Sequence, residues 1–245
     1  MVKLEVIATC VEDALLAEEC GADRLELITA ITEGGLTPSI GMIQQVVDAV
    51  QIPVNVMVRP HSRSFVYGQH DIATMAVDIE EIAKVGAAGI VIGALTADGD
   101  IDVALLDQLL PLAGKMDVTF HRAFDELDNR PAGLETLMSY PQISRVLTSG
   151  GLKPAPQAVA EIQQLVGITR DRGRGFLSNS ARTRENTFQI LAGHGLTIEG
   201  IEAFIAATGV TEVHFGSAVR LDSSALAPID PVRLKALATK IHSIG

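Results

Sequence analysis

Residues 54–92, VNVMVRPHSRSFVYGQHDIATMAVDIEEIAKVGAAGIVI, decide the fold. The β-branched run 54–58 reads as a strand, and Pro60 just beyond it cannot extend a hydrogen-bond ladder. Residues 71–85 carry helical patterning and end at Gly86, where glycine takes the left-handed turn that closes a helix. A second β-branched run, 89–92, follows at once. Strand, helix and strand in so short a stretch describe two parallel strands joined by a right-handed crossover.

The same unit repeats outward in both directions. Upstream, strands read at 4–8 and 24–28. The helix at 12–20 stops at Gly21, and another is N-capped by Ser39 and runs to about residue 50, where Pro53 ends it. Downstream, strands read at 117–120, 145–148, 188–191 and 212–215. Helices read at 103–110, 131–139 and 156–166, at a stretch capped by Thr197 and running to about 208, and at 231–242, opened by Asp230 and Pro231. Eight strands alternating with eight helices satisfy an open doubly wound sheet or a closed barrel. Eight units in 245 residues favour closure. The expected fold is α/β, a (β/α)8 TIM barrel, in one domain over 1–245, because no linker or low-complexity segment divides the chain.

Residues 167–187, GITRDRGRGFLSNSARTRENT, break the rhythm. They are long for a helix-to-strand connection, usually about 2–6 residues, and carry Arg170, Arg172, Arg174, Arg182 and Arg184. An Arg-rich insertion here reads either as an anion site or as a solvated loop. The loop is the preferred reading, since such connections lie on the N-terminal face of a barrel, away from the usual site. A rival seventh strand at 176–178 stays open.

Composition excludes several functions. A net charge of −11 lacks the basic footprint of a nucleic-acid partner. With no run of roughly 18 uncharged apolar residues, a membrane span is not expected. The N-terminus has no signal-peptide pattern, so a cytoplasmic protein is expected. Cys10 and Cys20 form no CxxC pair and read as free thiols. The six methionines are scattered, without the clusters that soft-metal sites use.

Barrel sites are built at strand C-termini and in the loops that follow. His121, Arg122 and Asp125 gather at the end of the fifth strand, and Arg59 stands at the end of the third. Arginine holds carboxylate or phosphate bidentately, and histidine or a carboxylate moves a proton. Glu5 and Glu26 lie inside strands, where an unpaired carboxylate is costly. For Glu5 the preferred reading is a structural ion pair. For Glu26 an ion pair and a general acid or base stand level. Catalytic candidates are therefore Glu26, His121 and Asp125. Anion-binding candidates are Arg59 and Arg122, with Gly193 and His194 in AGHG and His214 and Ser217 around strand eight.

The strings GADRLELITAITEGGLTPS, IPVNVMVRP, GALTADGDID, VTFHRAFD, RVLTSG, AGHGL and TGVTEVH resemble the successive signature segments of the CutC family, in its order and spacing. That resemblance implies a TIM barrel, a cytoplasmic location, a homodimer, copper homeostasis and copper binding. It places Glu26, Arg59, His121, Arg122, Asp125 and His214 on family motif positions. Where many relatives carry cysteines, this chain has Ile7 or Ala8, Ile28, Val66 and Leu127, and the loop after strand three reads HSRS. Copper is thus expected by resemblance alone, with Cys10 as the candidate metal ligand. Three functions follow: copper handling, an enzyme for a small anionic (phosphorylated or carboxylated) metabolite, and a non-catalytic scaffold.

Overall fold

Successive residues of a strand point alternately to the helices and into the barrel, and this alternation builds two separate interiors. The computed structural model describes residues 2–176 and 188–244, with backbone only for 172–176. The elements run β1 (Lys3–Ala8), α1 (Val11–Glu19), β2 (Arg24–Leu27), α2 (Ile40–Ala49), β3 (Val54–Met57), α3 (Gln69–Val85), β4 (Gly89–Ile92) and α4 (Val103–Leu109). They continue with β5 (Asp117–Phe120), α5 (Arg130–Met138), β6 (Ile143–Thr148), α6 (Val159–Phe176), β7 (Gln189–Ala192), α7 (Ile201–Thr208), β8 (Glu212–Phe215) and α8 (Pro231–His242). All strands pair in parallel, in chain order. β8 pairs back onto β1, with Glu5 opposite His214. That closure makes the fold a (β/α)8 barrel and removes the open-sheet alternative.

Local chemistry explains the helix ends. Ser39 Oγ accepts from Met42 N at 3.3 Å, and Asp230 Oδ1 accepts from Val232 N at 2.9 Å and Arg233 N at 3.2 Å. Gly86 takes φ +86° at the end of α3. That helix begins at Gln69, before the expected residue 71, because the Asp71 carboxylate accepts from Gly68 N at 3.0 Å. Thr197 caps no helix directly. It accepts from Gly200 N at 3.1 Å and closes a turn ahead of α7.

Leu4, Val6, Leu25, Leu27, Val54, Val56, Val118, Phe120, Val213 and Phe215 point outward into the layer shared with the helices. The intervening residues fill the barrel. At its lower end lies an ionic ladder. Arg24 Nε meets Glu5 at 2.5 Å and its Nη2 meets Glu212 at 2.6 Å. Arg145 meets Glu212 at 3.1 Å and Asp117 at 2.5 Å. Above it sits a small apolar cluster of Ile28, Met57 and Val91 with Ile7 and Ile31. Gly89 makes room for the ladder's neighbour Asn55, since a Cβ there would lie 2.5 Å from Asn55 Oδ1 and 2.6 Å from the Asp117 carbonyl.

The Arg-rich segment departs from expectation. α6 continues to Phe176, so residues 167–176 are helix and not loop. Ile168 packs against the core, Thr169 is buried, and Arg170 Nη2 donates to the Gly209 carbonyl at 2.8 Å, so the helix keeps a supported inner face beyond residue 166. Residues 177–187, with Arg182, Arg184 and most of the rival strand at 176–178, lie outside the described residues, as do the side chains of Arg172 and Arg174. β7 pairs with β6 and β8. No helix among the described residues is long and apolar enough to cross a membrane.

Candidate functional site

The C-terminal ends of the strands open into a cavity of about 730 Å³. Glu26, Arg59, His121, Arg122, His194, His214 and Ser217 all line it. Strand alternation delivers them: Glu26 points inward between the outward Leu25 and Leu27, and His214 between Val213 and Phe215.

Glu26 has two characters at once. It is 3% exposed, and its Oε1 has no hydrogen-bond partner among the described residues. Burial lifts its carboxyl to about 7, partly opposed by the positive field of His214 and reinforced by Glu5. The His214 Nε2 stands 3.7 Å from Glu26 Oε2, while its Nδ1 is held at 2.8 Å by Glu5 Oε1. Burial alone would lower His214, but the carboxylates of Glu26 and Glu5 outweigh it and raise it. Burial would likewise raise Glu5, yet Arg24 and His214 hold it well below the usual carboxylate range. Glu5 is thus the structural partner expected of it, orienting the histidine that faces Glu26.

His121 is fully buried and neutral. Desolvation lowers it to about 3, and the nearby Arg59 and Arg122 push the same way. Its Nδ1 accepts from Ala123 N at 3.1 Å, which puts the proton on Nε2, a donor left without a partner among the described residues. Gly93 makes the room, since a Cβ there would collide with the imidazole. Arg59 is 7% exposed. Its Nη1 donates to the carbonyls of Glu33 and Gly35 at 3.0 and 3.2 Å, its guanidinium lies 4.7 Å from the Phe65 ring centroid, and its Nε is unpartnered among the described residues. Phe65 also packs on His121, centroids 4.9 Å apart. His194 keeps a left-handed backbone, φ +69°, at the rim.

Three expected residues fall outside this set. Asp125 does not line the cavity. Its oxygens accept from the Thr148 hydroxyl, from Ser149 N at 3.1 Å, from Ser149 Oγ at 2.9 Å and from Arg122 Nε at 2.8 Å. A carboxylate so fully engaged is a structural tie between the loops after β5 and β6, with no lone pair left for chemistry. Gly193 gives no N–H to an anion, because that group donates to the Thr148 carbonyl at 3.0 Å. Its lack of a side chain instead admits Leu147 and His214, which a Cβ would approach to 2.8 and 3.2 Å. Cys10 stands at the N-cap of α1, away from the cavity lining. Burial and the carboxylates of Asp13 and Glu12 raise its thiol, so it stays protonated near neutrality.

Sequence reasoning missed Arg24, Arg145, Glu212 and Asn55, all buried inside the barrel. The signal was present as a period of two, with charged or amide residues alternating with aliphatic ones in RLEL, VNVM and EVHF.

The burial of Glu26 predicts a pH-dependent gain on its removal. A folded value raised above the unfolded 4.5 gives stability that is complete below about pH 4.5 and lost as pH rises through about 7. Glu26→Gln is therefore expected to be more stable than the parent at pH 8, by on the order of 2 kcal/mol, with the gap closing toward pH 4.5. Urea unfolding at the two pH values checks this, and equal stability at pH 8 would show that the buried carboxylate is not strained.

These features define a class: a (β/α)8 barrel with a polar-lined cavity at its C-terminal mouth. The CutC family model matches residues 2–219, and the chain belongs to the CutC family. It is 38% identical over 214 residues to the family protein CutC of Yersinia pseudotuberculosis, covering 87% of this chain and 78% of that one. It is 39% identical over 220 residues to the human copper homeostasis protein cutC homolog, covering 90% and 75%. The crystal structure of a CutC protein from Streptococcus agalactiae superposes with a TM-score of 0.77 at 27% identity, covering 87% of this chain and 98% of that one. Phosphoribosyl anthranilate isomerase from Thermococcus kodakaraensis, at 14% identity and a TM-score of 0.63 over the whole of both chains, shares the fold alone.

Proposed function

We propose that this chain serves copper homeostasis, the role in its human relative's name, and does so through a small anionic molecule held at the barrel mouth. The observation that carries the anion is Arg59. A buried guanidinium is always charged and normally paired. Arg59 forms no salt bridge among the described residues, and its free Nε stands in the same pocket wall as the neutral donor His121. Arg122, tied by Asp125 and donating to Ser149 Oγ at 3.2 Å, adds a second cation at the rim. A carboxylate or phosphate group supplies the missing partner.

The residues do not fit a copper(I) centre. Copper(I) favours sulfur, and Cys10 lies outside the pocket. Among the described residues, the His, Cys, Asp and Glu side chains close enough to share an ion are Glu5, Glu26 and His214. Both Glu5 oxygens are engaged by Arg24 and His214, which leaves one imidazole nitrogen and one carboxylate. The cytoplasm and a homodimer complete this reading, supported by the two free cysteines and by the family resemblance.

Two measurements test it. Inorganic phosphate, citrate or another small anion is expected to raise the melting temperature, since ligand bound to the native state stabilises it by about 2.7 kcal/mol at a hundred times Kd. The shift should vanish in Arg59→Ala. In dialysis against a copper(I) chelator, the parent should bind no more tightly than Cys10→Ser. Tight copper(I) binding lost in Cys10→Ser, with no anion shifting the melting point, would overturn the pocket in favour of a thiol site.

A further inference from the structure

We infer that the pocket carries a reaction: proton transfer at the carbon beside a carbonyl group, isomerising a small phosphorylated or carboxylated hydroxy-carbonyl compound, with Glu26 moving the proton and His121 holding the oxygen that becomes negative. This inference rests on the anion-pocket reading above and adds a reaction class to it.

The geometry points there through three residues from three strands or strand ends that line one cavity, each with a buried polar atom that has no partner among the described residues. Glu26 on β2 brings an oxygen, Oε1. His121 after β5 brings an N–H, Nε2. Arg59 after β3 brings an N–H, Nε. Each residue is more than nine-tenths buried, and none of the three atoms finds a partner among the described residues. Buried polar atoms are hydrogen-bonded as a rule, so three exceptions around one cavity mark what its occupant supplies. The occupant must offer acceptors to His121 and Arg59 and a hydrogen to Glu26. A hydroxy-carbonyl compound with an anionic group has all of these.

The chemistry balances without any co-reactant. The Glu26 carboxylate takes the proton from the carbon next to the carbonyl. The electron pair of that C–H bond becomes the double bond of an enediolate, and the former carbonyl oxygen takes the negative charge. His121 Nε2–H donates to that oxygen without giving up its proton, while Arg59 holds the compound's anionic group. The hydroxyl proton on the deprotonated carbon passes to the former carbonyl oxygen, Glu26 gives its proton to the former carbonyl carbon, and the deprotonated carbon becomes the new carbonyl. The isomer forms, and Glu26 and His121 are restored.

The rest of the barrel supports this role. The titratable and charged groups facing Glu26 are Glu5 on β1, His214 on β8 and Arg24 below it on β2, while Asn55 on β3 is neutral. Arg24 and Glu5 fix His214, which stands 3.7 Å from Glu26 and acts as a positioning residue. Burial brings the carboxyl into the range where one group both takes and gives a proton near neutrality.

The test follows hydrogen exchange in place of an unidentified product. The intact protein is incubated in D2O with dihydroxyacetone phosphate, ribulose 5-phosphate or hydroxypyruvate, each alone. Loss of the carbon-bound hydrogen beside the carbonyl is read by NMR, and the melting temperature is measured with each compound. A compound that stabilises the protein should exchange its hydrogen at least about 100-fold faster than in buffer. Glu26→Gln should lose that acceleration while keeping the melting shift, and Glu26→Asp should recover part of it. A compound that stabilises the parent without exchanging overturns the proton transfer and leaves the pocket reading standing. Exchange that persists unchanged in Glu26→Gln also overturns it. If none of the three shifts the melting point, the pocket reading fails and this inference falls with it.

Discussion

Replacing Arg24 with methionine is expected to destabilise the barrel by about 3–5 kcal/mol, seen as a lower urea midpoint with an unchanged slope. Arg24 binds two carboxylates at once, Glu5 at 2.5 Å and Glu212 at 2.6 Å, and both are buried. Methionine preserves the packing of the stem but leaves two buried charges short of a counter-ion. The loss should depend on pH in a diagnostic way. In the parent, Glu5 is held below its ordinary 4.5, so it contributes stability that is present above pH 4.5 and lost only in stronger acid. Without Arg24, burial, already the largest single influence on Glu5, is opposed by His214 alone, and the carboxyl rises from its depressed position. The stability it contributes above pH 4.5 then shrinks. The gap between parent and variant should accordingly be widest above about pH 5 and narrow toward pH 4. A gap that stays constant across this range would show that Arg24 acts through packing and not through charge.

Asp125→Ala is expected to cost about 3 kcal/mol, because each buried donor left without an acceptor costs roughly 1–3 kcal/mol. The substitution strands the Ser149 amide and the Thr148 hydroxyl together and frees Arg122 from its only carboxylate among the described residues. Asp125→Asn should cost less, since its carbonyl oxygen can still accept. Stability falls in both variants, and anion affinity weakens as Arg122 loses its fixed position. The hydrogen exchange expected of Glu26 should survive in Asp125→Asn. Loss of exchange there, at saturating ligand and with the fold intact, would restore Asp125 to the reacting groups. Chemical denaturation and the exchange rate at saturation separate these outcomes.

The two variants show where the reading of the chain met its limit. Glu26 was legible because a carboxylate inside a buried strand is costly unless it is paired. Arg59 and His121 were legible because they follow strands directly, and strand C-termini converge in a barrel. Asp125 has the same proximity to a strand end and does something else. The short helical turn Arg122–Glu126 carries it sideways under the loop after β6, and nothing in HRAFD distinguishes a carboxylate aimed at the cavity from one aimed at Ser149. Gly193 misled for a similar reason. A glycine that admits an anion and one that admits a neighbouring side chain are identical in sequence, and only the position of His214 separates them.

By itself the sequence determined the alternation of strand and helix, the count of eight units that favours a barrel, the CutC family, and the anomaly of Glu26. These are local or string-like properties, carried by periods of two and 3.6 residues and by contiguous motifs. Tertiary structure alone decided which partners each charge finds. Arg24 and Glu212 are 188 residues apart and meet because β8 closes onto β1. Glu5 reaches His214 by the same closure, and that contact sets the histidine facing Glu26. The continuation of α6 beyond residue 166 was likewise settled by a distant group, the Gly209 carbonyl that receives Arg170. Electrostatic partnership depends on distance in space, and in a closed barrel the two ends of the chain are neighbours.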